Sequence, residues 1–168
     1  LETFNEDFKV CDMNAANEPI ATPFSYYQNR ARNLYNAIKC GLKDYFVKNG
    51  YEKACVGLSG GIDSSVVACL AVGALGKENV KGLMMPSQFS SDESVEDAKA
   101  LAENLGIEYS VLPIAEAYTA IIDTLKPVTG GTEFDATEEN IQSRIRTVLL
   151  MALQNKEGYV LLNSSNKS

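Results

Sequence analysis

The sequence contains no histidine, which excludes a Ser-His-Asp triad and a histidine-ligated zinc site within these residues. Its four cysteines, Cys11, Cys40, Cys55 and Cys69, show no C-x-x-C spacing, so the common thiol metal site and redox pair are absent. They read instead as small core residues in a reducing compartment. No apolar run approaches the ~20 residues that cross a bilayer, and the opening residues lack a signal-peptide pattern. The expectation is a cytoplasmic protein with no membrane partner. Basic residues are also scarce: 15 Lys and Arg stand against 22 Asp and Glu, a net charge of -7, which leaves no electrostatic footprint for nucleic acid. Neither an internal repeat nor a low-complexity tract appears.

What is present is a chain of 168 residues, 45% hydrophobic, the size and composition of one ordinary globular domain. Its organising stretch is Gly57-Leu58-Ser59-Gly60-Gly61-Ile62-Asp63-Ser64-Ser65. The apolar run Ala54-Cys55-Val56 precedes it and Val66 to Val72 follows, so it reads as strand, glycine loop and helix start. Gly60 and Gly61 can adopt positive φ and bring backbone N–H groups up to an anion. Ser64 and Ser65 stand at the helix N-terminus, where unpaired N–H groups and the helix dipole favour an anion too. Asp63 would repel a phosphate unless a cation lay between them, which points to Mg²⁺, a hard ion that accepts carboxylate and phosphate oxygens together. A plainer reading stands beside this one: Asp63 or Ser64 caps the helix, and the glycines make an ordinary strand-to-helix turn. The loop lacks the lysine of a Walker A motif and is not G-x-G-x-x-G, so kinase-like and dinucleotide-fold readings do not fit.

In chain order, residues 1–22 form an extended lead-in of linker type. From Ser25, read as the N-cap, Tyr27, Ala31, Leu34, Ile38, Leu42 and Tyr45 recur at helical steps until Asn49-Gly50, and predict a helix. Strands are predicted over 54–58, 80–85, 107–112 and 159–162. The helices between them run over 64–75, from near Asp92 to Gly106, over 115–125 and over 137–155. Ser90 and Glu93 give a capping-box signal, and residues 126–136, with Pro127, Gly130 and Gly131, read as a flexible loop. On the last long helix, Ile141, Ile145, Val148, Leu149 and Ala152 make the apolar face, while Asn140, Arg144 and residue 147 share another. That second face could equally be a solvated charged surface. Alternation of this kind predicts an α/β fold, a parallel sheet covered by helices on both faces. Ligands of such sheets bind past the carboxyl ends of the strands, here Ser59 to Ser65, Pro86 to Ser91, Pro113 and Asn163 to Ser168.

The string Ser59-Gly60-Gly61-Ile62-Asp63-Ser64 resembles the Ser-Gly-Gly-x-Asp-Ser loop of the ATP pyrophosphatases. That resemblance implies the adenine nucleotide alpha hydrolase-like, Rossmann-like architecture over residues 23–168. It also implies ATP held by Gly57, Ser59, Gly60, Gly61, Asp63, Ser64 and Ser65, with Mg²⁺ on Asp63. Met85 and Pro86 are then candidates to meet the adenine through backbone groups and apolar contact. On the sequence alone, Gly60→Val should abolish ATP binding with helix content close to normal.

Three further stretches, Met84-Met85-Pro86-Ser87, Thr137 to Arg146 and Leu161 to Ser168, resemble NAD synthetases, above all the glutamine-dependent form. The resemblance implies ATP-dependent amidation of deamido-NAD to NAD through an adenylated intermediate, with ammonia derived from glutamine. By the same resemblance, Asn140 and Arg144 contact deamido-NAD, Ser164 takes the place of a threonine that contacts ATP, and the protein is a homodimer or higher homo-oligomer. A glutaminase domain is expected upstream of the lead-in. The family has a metal-binding glutamate after Asn-Lys-Ser and a lysine-bearing loop beyond it, so the chain reads as C-terminally truncated, a fragment that binds nucleotide weakly and turns over poorly. The alternatives are a GMP synthetase or tRNA-modifying relative, the latter disfavoured by the acidic charge, and a non-catalytic adenine-nucleotide sensor.

Overall fold

Each of the first three strands runs into serine or proline within two residues, at Ser59, Pro86 and Pro113, and gives way to a helix, which sets the architecture. The computed structural model describes residues 30–130 and 135–163. Helix α1 (Arg30–Asn49) leads into β1 (Ala54–Leu58), α2 (Ile62–Leu75), β2 (Val80–Met84), α3 (Asp92–Leu105), β3 (Glu108–Val111), α4 (Ala115–Thr129), α5 (Ala136–Glu157) and β4 (Val160–Leu162). One 3-10 turn, Lys77–Asn79, joins α2 to β2. Among the described residues no helix is long and apolar enough to cross a membrane.

The four strands form one sheet of order β3-β2-β1-β4, and every pair is parallel. Leu58 pairs with Met84, Met84 with Val111, and Val56 with Leu162, which brings the carboxyl ends of the strands together along one edge. The chain steps from β1 outward to β3 and then returns to place β4 on the other side of β1. The strand order therefore reverses between β1 and β4, where open α/β sheets form their crevice.

Both faces of the sheet are covered, which explains why β1 reads as Ala-Cys-Val-Gly-Leu without polar alternation. On one face Val56, Leu58, Val80 and Met84 pack against Ala68 and Ala71 of α2 and Ala98 and Ala102 of α3. On the other, Cys55, Leu83 and Met85 pack against Ile114, Tyr118 of α4 and Ile145 of α5. Leu83 and Ile114 are fully buried, so truncating either to alanine would cost about 2–5 kcal/mol.

Several local expectations change. Ser91, not Ser90, caps α3 and accepts from the Ser94 N–H at 3.2 Å, while the Ser90 hydroxyl accepts from Ser87 N at 3.0 Å. The capping box that does form lies at α5, where Asp135 accepts from Thr137 N and Glu138 accepts from Asp135 N at 2.7 Å. Helix α4 runs through Pro127 to Thr129, so the predicted loop begins later. A proline in the last turn costs only one backbone bond, and Gly130, at φ 75°, ends the helix three residues on. Residues 131–134 lie outside the described residues.

Helix α1 ends at Asn49 as its spacing predicts, but the recurring residues do not mark its buried side. Ser25 and Tyr27 lie outside the described residues, and Ala31, Leu34, Ile38 and Tyr45 are exposed, while Phe46 is buried. The reason is geometric. Helix α1 packs mainly on α2, along a narrow line where a Cβ on Gly73 would lie 2.2 Å from the Tyr35 hydroxyl. Cys55 is buried and Cys69 half-buried, as a core role requires, but Cys40 is exposed on α1.

Candidate functional site

The glycine loop begins where β1 stops. Gly60 has φ 79°, the left-handed region that favours glycine, and a Cβ there would lie 2.3 Å from the Ser94 carbonyl oxygen. Two independent constraints therefore fix glycine at this position. Gly61, by contrast, is extended at φ -82° and serves as the N-cap of α2, with no side chain capping the helix. Neither Asp63 nor Ser64 is the cap, so the plain capping reading fails.

The serines brace the loop. Gly61 N donates to Ser59 Oγ at 3.2 Å, the Ser59 and Ser64 hydroxyls lie 3.1 Å apart, and Ser64 Oγ donates to the Gly61 carbonyl at 3.0 Å. Each hydroxyl has one proton, so Ser59 donates to Ser64 and the circuit closes. Ser59 N adds a bond to Ser64 Oγ at 3.3 Å, and Ser65 Oγ donates to the Gly61 carbonyl at 2.9 Å. The first helical bond of α2 is Ser65 N to Gly61 O, which leaves the amides of Ile62, Asp63 and Ser64 without intrahelical acceptors at the positive end of the dipole. Asp63 is exposed in that first turn, and its carboxylate has no partner among the described residues. Among the described residues no cluster of three His, Cys, Asp or Glu side chains comes together, so a cation on Asp63 would need oxygens from the ligand itself.

Above the loop lies a cavity of about 350 Å³. Its walls come from the carboxyl ends of three strands, at Ser59, Met85-Pro86 and Asn163, from the start of α3 at Ser90 and Ser94, and from α5. The rule of the carboxyl ends thus holds for Ser59, Ser64, Pro86, Ser90 and Asn163, whereas Gly60, Gly61, Asp63, Ser65 and Pro113 are not part of the lining and Ser164 lies outside the described residues. Gly57 lines the floor, where a Cβ would meet Leu150 at 3.4 Å and Met85 at 3.5 Å.

The sequence reading missed how α5 is turned. Ser143, Arg146, Thr147 and Leu150, spaced as neighbours on one helix face, enter the cavity wall. Ile145 is buried, with Ile141, Leu149 and Leu153 packed beside it, while Val148 and Ala152, expected in the apolar face, are exposed. Asn140 and Arg144 are exposed outside the cavity: Asn140 Nδ2 donates to the Ala136 carbonyl at 2.7 Å, and an Arg144 terminal nitrogen donates to the Asn140 carbonyl at 3.2 Å. The arginine of the cavity is Arg146, whose Nε donates to the Met85 carbonyl at 3.0 Å. Its partial burial disfavours the charged form, a cost that an incoming anion would offset.

The strand-end carbonyls expected to meet a base are already engaged. Met84 O accepts from Leu112 N at 2.8 Å, Pro86 O from Ile114 N at 2.9 Å, and Met85 O from Arg146. Met85 keeps its apolar side chain in the wall. Taken together, the cavity offers the hydroxyls of Ser59 and Ser64, the guanidinium of Arg146 and thioether and leucine surface, a lining suited to an anion carrying an apolar group, with the first turn of α2 reaching it at Ser64.

Comparison with known proteins places this arrangement. The model of one family, described as NAD synthase, matches residues 34–168. A curated relative, the glutamine-dependent NAD(+) synthetase of Thermotoga maritima, is 52% identical over 151 residues, 90% of this chain and 26% of that protein. Among solved structures, the glutamine-dependent NAD+ synthetase of Acinetobacter baumannii in complex with ADP superposes with TM-score 0.78 at 39% identity, over 81% of this chain and 26% of that one. The NMN synthetase of Francisella tularensis superposes with TM-score 0.73 at 29% identity, over 80% of this chain and 54% of that one. The chain spans about a quarter of the length of the curated relatives it matches.

Proposed function

The chain belongs to the NAD synthase family, and from that premise we propose that its cavity binds ATP and amidates the nicotinate carboxylate of deamido-NAD to give NAD, with ammonia derived from glutamine. The observation that carries the proposal is the braced glycine loop at the carboxyl end of β1, opening into a cavity at the strand-order reversal.

In this reading the amides of Ile62, Asp63 and Ser64 hold the pyrophosphate end of ATP, as a helix N-terminus holds an anion. Asp63 fits Mg²⁺, because its carboxylate is exposed and unpartnered beside those amides. Bound there, the ion would neutralise charge on the departing pyrophosphate. Met85 and Leu150 give apolar surface for the base. The substrate carboxylate attacks the α-phosphorus and pyrophosphate leaves. Ammonia then adds to the acyl adenylate and AMP leaves with the carboxylate oxygen. Histidine is not required, since positioning and charge neutralisation account for most of the barrier lowering.

Asn140, Arg144 and Ser164 are assigned to deamido-NAD and ATP in the same proposal. Asn140 and Arg144 share the exposed stripe of α5 with Val148 and Met151, and a second subunit against that stripe would bring them to a substrate. Residues 23–168 then form the ATP pyrophosphatase domain of a cytoplasmic homodimer, with residues 1–22 leading in from a glutaminase domain.

The test is pyrophosphate release by the full-length natural protein with ATP, Mg²⁺ and glutamine. Release that requires deamido-NAD supports the proposal. Release with xanthosine monophosphate makes it a GMP synthetase, release with nicotinate mononucleotide moves the substrate to the mononucleotide, and ATP binding without release makes it a nucleotide sensor.

A further inference from the structure

Of the described residues that line the cavity, Arg146 alone carries a charge. Its position is set by packing on both sides. Leu150, one turn later on α5, reaches to 3.4 Å of the Cβ position of Gly57, which presses this helix face against the end of β1. Arg146 is thereby carried over the end of β2, where Nε is tied to the Met85 carbonyl. One of five guanidinium donors is spent on that bond, and the terminal amino groups have no partner among the described residues. An arginine fixed at Nε keeps its terminal pair as a rigid fork, the geometry that matches two oxygens of a phosphoryl group. The protein as a whole is acidic, so an anion gains attraction here from this local charge and the helix terminus rather than from the overall field.

We propose that Arg146 grips phosphoryl oxygens of the nucleotide from the cavity wall formed by α5, through the terminal amino groups of a guanidinium anchored at Nε to Met85. The inference rests on the nucleotide-binding reading above and adds a second phosphate ligand, on a helix rather than a loop. Placed there, the guanidinium also meets charge that grows on the α-phosphoryl oxygens as the carboxylate attacks.

Two variants of the full-length natural protein test it: Arg146→Met, which keeps the stem and removes charge and donors, and Arg146→Lys, which keeps charge and removes the fork. Titration calorimetry with ATP, AMP, pyrophosphate and adenosine, all with Mg²⁺, reads the result. Arg146→Met should weaken ATP by about tenfold or more, the loss of a charge-assisted hydrogen bond, and leave adenosine within about twofold. Arg146→Lys should fall between parent and Arg146→Met, with an unfolding midpoint close to that of the parent. Weakening of AMP places the fork on the α-phosphoryl group; weakening of pyrophosphate alone places it further along the chain, and either supports the inference. Equal weakening of adenosine and ATP would mean that Arg146 only shapes the cavity through Met85, and an unchanged ATP affinity in both variants would overturn the inference outright. A parent protein that binds none of the four ligands removes the nucleotide reading and this inference together.

Discussion

A methyl group on Gly60 would stand 2.3 Å from the carbonyl oxygen of Ser94, so the glycine loop and the first turn of α3 are in direct backbone contact. The loop is thus part of the packing of the fold as well as part of the site.

Gly60→Ala should therefore lose stability together with binding. The positive φ costs a non-glycine residue about 1–2 kcal/mol. Displacing α3 adds a comparable amount, so the urea unfolding free energy should drop by about 2 kcal/mol or more. The expectation drawn from the sequence, that Gly60→Val keeps helix content close to normal, left this stability cost out. A Gly60→Ala protein as stable as its parent would mean that α3 yields freely at Ser94.

Asp63→Asn should behave in the opposite way. The carboxylate has no described partner, so its loss costs only its favourable place at the helix N-terminus, under about 1 kcal/mol. Turnover in the full-length protein should fall by about a hundredfold or more, the effect of losing a charge that holds a metal on the leaving group. Losing stability and turnover to the same degree would assign Asp63 a structural role.

Burial in the core pushes the Cys55 thiol up to about 11. The unfolded chain releases the same proton near ~8.5, so the unfolded state binds fewer protons between those values and stability must fall as pH rises through that window. Below it the contribution is fully present. Denaturant titrations at pH 8 and pH 10.5 should show a loss for the parent that Cys55→Ala lacks, and thiol labelling at pH 8 should reach the exposed Cys40 well before Cys55. Equal labelling rates would show the core opening on that timescale.

The parts of the fold that were legible in the sequence are those fixed by local chemistry. Gly60, Gly61 and Asp63 announce a strand-to-helix glycine turn because φ and the helix terminus are decided within a few residues. The strands were legible because two-sided burial leaves them apolar throughout. The rotation of α5 was not. Ile141, Ile145, Val148, Leu149, Leu150 and Met151 surround much of that helix with apolar side chains, so several faces satisfy a helical period equally. The choice among them is made by long-range contacts, Leu150 at Gly57 and Arg146 at Met85, which no local pattern encodes. Helix α1 was legible as a helix but not in its facing: Leu34 and Ile38 are exposed, while contact with α2 is made by the hydroxyl of the partly exposed Tyr35 at Gly73 and the buried residue is Phe46.

The circuit of hydroxyls that joins Gly61, Ser59 and Ser64 changes when the protein meets the expense of ordering its loop. A loop of free glycines would surrender conformational entropy each time a ligand arrived, at about 1–2 kcal/mol for every residue fixed. Here that surrender is made once, during folding, and under the proposed function the amides of Ile62 to Ser64 stand aligned before the nucleotide enters. Association and release can then be fast without sacrificing affinity, because the loop need not reorganise on each cycle.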